Sequence, residues 1–75
     1  MNTVWRKYIM AIDKIRLPAA RKHAGLTQRE LAQICGVSES TIISWEKGRR
    51  EPTVSQARMI GEACGIHYDN IIFLA

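Results

Sequence analysis

Apolar residues along this chain return every three or four positions, in short blocks closed by glycines, which is the spacing of helices and not the alternation of half-buried strands. The first block is Val4, Tyr8, Ile12 and Ile15, widened by Trp5 and Ile9. It predicts an apolar N-terminal arm over residues 1–14 that can form an extra helix, a strand being the less well supported alternative. Pro18 disfavours a helical backbone at Leu17, so the arm and the next element are separate. A short helix is then predicted from about Pro18 to Ala24, with Leu17 and Ala20 inward, Arg21 along the edge of that face and Gly25 as its stop.

Thr27 followed by Glu30 is a capping box, in which the hydroxyl accepts from the Glu30 amide and the carboxylate accepts from the Thr27 amide, and it opens the second helix. Leu31 and Cys35 share one face of that helix with Ala32 beside them, and Gly36 supplies the backbone angles for a reversal within about three residues. Ala32 has to be small where two helices cross at a shared corner. Ser38 caps a third helix running to about Lys47, before Gly48. That helix has two faces: Ile42 and Trp45 on one, and Ser40, Ile43, Ser44 and Lys47 on the other, a mostly small and polar surface suited to a groove.

Gly48-Arg49-Arg50-Glu51-Pro52 is a basic turn, and Thr53 with Gln56 forms a second capping box opening a fourth helix that buries Ala57, Ile60, Gly61 and Cys64 and ends at Gly65. The apolar tail from Ile66 to Ala75 closes the core and leaves surface for a second subunit. The domain proper is therefore expected over residues 15–75.

Composition changes this picture little. At 47% hydrophobic and 24% charged residues, the chain is too apolar for disorder. The formal charge of +4 favours a polyanionic partner. Cys35 and Cys64 have no neighbours at zinc spacing and read as reduced core residues. His23 and His67 stand alone, beside neither a nucleophile nor a metal-ligand cluster, so neither catalysis, a metal, a cofactor nor a small-molecule ligand is expected. Asp13 and Lys14 interrupt the first apolar run, which excludes a convincing signal peptide or membrane span and points to the cytoplasm.

The ordered set Gly25-Leu26-Thr27-Gln28, Glu30-Leu31-Ala32, Gly36-Val37-Ser38, Thr41-Ile42, Trp45-Glu46, Gly48 and Pro52 resembles the helix-turn-helix family of phage Cro and repressor proteins, also called the XRE family of bacterial regulators. The resemblance runs from about Ile15 to Leu74. It implies an all-α, compact bundle of about five helices of the lambda-repressor-like type, with the third helix in the DNA major groove and the second bridging the backbone. It also implies a transcriptional regulator, a repressor of the phage or prophage Cro-like kind, binding a two-fold symmetric operator as a homodimer.

By the same resemblance, Gln28 contacts a phosphate with Arg29 beside it, and Ser38 makes a further backbone contact or serves as a cap alone. Glu39, Ser40, Thr41 and Ser44 approach base edges, while Lys47, Arg49 and Arg50 grip phosphates at the flanks. Glu46 and Arg21 correspond to a structural pair holding the third helix against the first. Glu39 and Ile43 depart from the family pattern. Glu39 can accept from a cytosine amine or only complement the helix end, and Ile43 can touch a thymine methyl or only cover the rim. A reading of another class is motivated by Trp5, Tyr8 and Ile9: a protein-interaction module, such as an antitoxin or adaptor, whose DNA binding is secondary.

Overall fold

The computed structural model describes residues 14–73, so the predicted arm, apart from Lys14, lies outside the described residues. In chain order the elements are β1 (Ile15–Arg16), α1 (Leu17–His23), α2 (Gln28–Cys35), α3 (Glu39–Glu46), α4 (Val54–Cys64), a 3-10 turn (Tyr68–Asn70) and β2 (Ile71–Ile72). The described residues thus hold four α-helices where about five were expected, together with a small strand pair that the all-α expectation lacks.

The helix starts follow local chemistry. Both capping boxes form: Thr27 Oγ1 accepts from the Glu30 amide at 3.0 Å while Glu30 Oε1 accepts from the Thr27 amide at 2.8 Å, and Thr53 with Gln56 repeats the arrangement at 3.1 and 2.9 Å. Ser38 Oγ accepts from the Thr41 amide at 3.2 Å and starts α3. Pro18 occupies the first turn of α1, where its missing N–H is harmless, and the helix takes in Leu17 one residue before the expected start.

Ile15 departs from the helical spacing of the arm. Arg16 is extended, with φ −71° and ψ 149°, and the two residues of β1 pair in parallel with β2, Ile15 opposite Ile71 and Arg16 opposite Ile72. Three of these four residues are β-branched and suit a pleated backbone. The tail closes the core as expected, yet by a strand: Ile71 is buried in the cluster that also holds Leu17 and Ile60, and Lys14 Nζ donates to the Asp69 carbonyl at 2.9 Å beside the pair.

Leu17, Leu31, Ile42, Trp45 and Ile60 are the largest fully buried side chains, so one core joins all four helices. Trp45 belongs to that core and not to the surface. Cys35 and Cys64 are free and buried, and burial pushes both thiols up from their ordinary range, which keeps them protonated and unreactive. Ala32, 3% exposed, sits at the corner between α2 and α3. Gly36 makes the corner possible through its φ of 68°, and the Val37 amide donates across it to the Ala32 carbonyl at 3.0 Å.

Candidate nucleic-acid interface

The corner between α2 and α3 determines which side chains face outward. Burying Leu31, Ala32 and Cys35 on one side, and Ile42 and Trp45 on the other, turns the start of α2 and the polar face of α3 away from the core. Ser40, Lys47, Arg49 and Arg50 are exposed, and Thr41, Ile43 and Ser44 are half-buried between them. Glu39 is exposed at the first position of α3, near the partial positive charge of the helix start, a placement favourable to its carboxylate whether or not it meets a base.

Three expected contact residues are brought together. Ser38 Oγ lies 3.0 Å from Ser40 Oγ and 2.9 Å from Thr41 Oγ1, besides accepting from the Thr41 amide. A hydroxyl has one proton and two lone pairs, and one lone pair is already used, so Ser38 can accept from only one of the two neighbouring hydroxyls and must donate to the other. One of Ser40 and Thr41 therefore keeps a free O–H, and the other directs its proton inward and presents lone pairs. Such a pair can offer both a donor and an acceptor to polar edges.

Beyond α3 the chain folds back on it. The Arg49 and Arg50 amides both donate to the Ser44 carbonyl, at 2.9 and 3.4 Å, which ties the basic turn to the end of α3 while the two guanidinium-bearing side chains stay exposed. Lys47, the residue that caps α3, completes the positive flank.

At the other end of the surface, Gln28 and Arg29 open α2. The capping box occupies the Thr27 and Glu30 amides, leaving the two amides between them for an external acceptor. Arg29 is exposed, whereas Gln28 is half-buried and its Nε2 donates to Glu46 Oε1 at 2.9 Å. Glu46 is also held by Arg21, whose Nε donates to Oε2 at 2.6 Å and whose Nη2 donates to Oε1 at 3.4 Å. Arg21 Nη1 donates to the Leu26 carbonyl at 2.9 Å, so one guanidinium joins α1, the loop after it and α3. The Arg21–Glu46 pair expected from the family is thus present, with side-chain exposures of 10% and 7%. The bond from Gln28 to Glu46 was not foreseen. It depends on how α2 crosses α3, for which no local motif exists.

His23 and His67 are both exposed; His67 Nδ1 accepts from the Asp69 amide at 3.2 Å and caps the 3-10 turn. No group of three or more candidate metal ligands occurs among the described residues. Nor is any helix among them long and apolar enough to cross a membrane.

Two short helices meeting at a glycine corner, the second with a polar outward face and a basic flank, define a helix-turn-helix domain. The chain belongs to the helix-turn-helix family, whose sequence profile matches residues 19–71. It is similar to proteins named uncharacterized HTH-type transcriptional regulators. One from Methanothermobacter thermautotrophicus is 46% identical over 54 residues, covering 72% of this chain and 78% of the relative. One from Methanocaldococcus jannaschii is 38% identical over 58 residues, covering 77% and 88%. A third, from Sinorhizobium fredii, is 35% identical over 52 residues, covering 69% and 68%. No solved structure gives a significant match.

Proposed function

We propose that this protein is a sequence-specific double-stranded DNA-binding transcriptional regulator that places α3 in the major groove. The observation that carries the reading is the outward face of α3, where Ser40, Thr41 and Ser44 offer short hydrogen-bonding groups between a basic flank at Lys47, Arg49 and Arg50 and the open amides of α2. Short side chains allow a helix to sit deep in a groove, and cations at both edges neutralise phosphates. The names carried by its relatives support the same class.

In the finer reading, the protein acts as a cytoplasmic homodimeric repressor of the Cro-like kind on a two-fold symmetric operator, which it blocks by occupancy without cofactor or catalytic step. Residues 15–75 form the DNA-binding domain and residues 1–14 an arm. Base edges fall to Glu39, Ser40, Thr41, Ile43 and Ser44, and phosphates to Gln28, Arg29, Ser38, Lys47, Arg49 and Arg50. The alternative reading, a protein-interaction module such as an antitoxin or adaptor, rests on Trp5, Tyr8 and Ile9, which lie outside the described residues.

Salt dependence tests the proposal. With about six phosphates neutralised per dimer, the logarithm of the binding constant is expected to fall against the logarithm of salt concentration with a slope of about −5. Fluorescence anisotropy of a labelled duplex over a salt series measures it. A slope near zero would remove the phosphate contacts from the account.

A further inference from the structure

The bond between Gln28 and Glu46 links the start of α2 to the end of α3, and the chemistry of its acceptor restricts the donor. Both oxygens of the Glu46 carboxylate accept, from Arg21 and from Gln28, so it is met by the nitrogen of the Gln28 amide and not by its oxygen. Glu46 thereby fixes which end of a two-fold ambiguous amide turns inward. Nε2 carries two protons at a fixed angle in the amide plane, and only one is used at 2.9 Å by Glu46 Oε1.

We propose that Glu46 is a positioning residue for binding the DNA backbone, orienting the Gln28 amide so that its second Nε2 proton is presented to a phosphate oxygen beside the free amides at the start of α2. The inference rests on the reading of Gln28 as a phosphate contact, and it extends that reading. Arg21 serves twice in this arrangement. It neutralises the buried carboxylate, and its donation to Oε1 and Oε2 fixes the plane of the group that receives Gln28. DNA-backbone contact is in this way coupled to the crossing of all three helices that meet at Glu46. A charge with no direct approach to DNA thus contributes to affinity through a neighbour.

The carboxamide of Glu46→Gln has one acceptor and one donor end. If its oxygen stays with Arg21, its amine faces Gln28, and the Gln28 amide must turn over to offer its oxygen. The phosphate-facing proton is then misdirected, although both side chains remain hydrogen-bonded.

The test is a double-mutant cycle in DNA affinity, using the full chain and a duplex recovered by selection from random sequence, at one salt concentration. Losing one hydrogen bond to a charged acceptor is expected to weaken binding about tenfold per half-site in Gln28→Ala and about tenfold in Glu46→Gln. The double variant should be no weaker than Gln28→Ala alone, because Glu46 acts through Gln28. Multiplied losses in the double variant, or Glu46→Gln binding like wild type while Gln28→Ala is weakened, overturn the proposal and leave the phosphate role of Gln28 intact. Wild-type affinity in Gln28→Ala overturns both.

Should Glu46→Gln fail to fold, the wild-type protein free of DNA decides the matter by NMR. The Gln28 side-chain amide protons should exchange slowly and show a cross-peak to the Glu46 γ-protons, as their bond to Oε1 requires. Solvent-like exchange with no cross-peak overturns the proposal.

Discussion

Arg21→Ala is expected to lower folding stability by about 3 kcal/mol, the scale at which removing one partner strands a buried charge. Arg21 is 8% exposed as a residue, and its guanidinium supplies two hydrogen bonds to Glu46 and one to the Leu26 carbonyl. Alanine leaves the Glu46 carboxylate, 7% exposed, with Gln28 as its remaining partner. For a domain whose total stability is about 4–11 kcal/mol at the usual value per residue, that loss is a large share. The melting temperature should fall by roughly 12–24 °C, measured by circular dichroism at fixed pH and salt. An unchanged melt would contradict the burial of the pair. Replacing both partners, Arg21→Met with Glu46→Leu, should recover most of the loss, because a buried ion pair exchanged for apolar groups is often near neutral.

A loss of about 2 kcal/mol is expected from Gly61→Ala, the smallest substitution in the core with a large effect. An added methyl group would lie 2.6 Å from the Ile66 carbonyl oxygen and 3.1 Å from the Tyr68 nitrogen, and these are backbone atoms that cannot swing aside. The Gly61 carbonyl also accepts from the Gly65 and Ile66 amides, so moving the segment away costs the closure of α4. β2 follows directly, and with it the burial of Ile71. Alanine improves helix propensity by about 1 kcal/mol, and the steric term must exceed this for the expected net loss. A denaturation midpoint in urea equal to or above that of wild type would show that the segment relaxes without cost.

These two residues also mark what was legible in the sequence. Thr27 with Glu30, Ser38, and Thr53 with Gln56 could be read because each cap is completed within one helical turn, and the glycine stops because they need only one backbone conformation. Gly61 could be placed in the core by periodicity, but the reason for a glycine there lies in the return of residues 66–68, which no spacing rule records. Ile15 continues the helical spacing of the arm in sequence, because a strand of two residues has no period of its own and its partner Ile71 is distant along the chain. Arg21 and Glu46 were recognised through the family pattern alone. The outward residues of α3 were legible as the complement of the buried ones, whereas the hydroxyl cluster of Ser38, Ser40 and Thr41 and the attachment of Gln28 to Glu46 required the three-dimensional arrangement.

The claim that α3 reads DNA is tested most directly by selecting bound sequences from a pool of random duplexes, with wild type and with Ser40→Ala and Ser44→Ala variants. An enriched inverted repeat with half-sites about one helical turn apart is expected, with a change of preferred bases within each half-site in the serine variants. Absence of enrichment, or an identical motif from all three proteins, would contradict it.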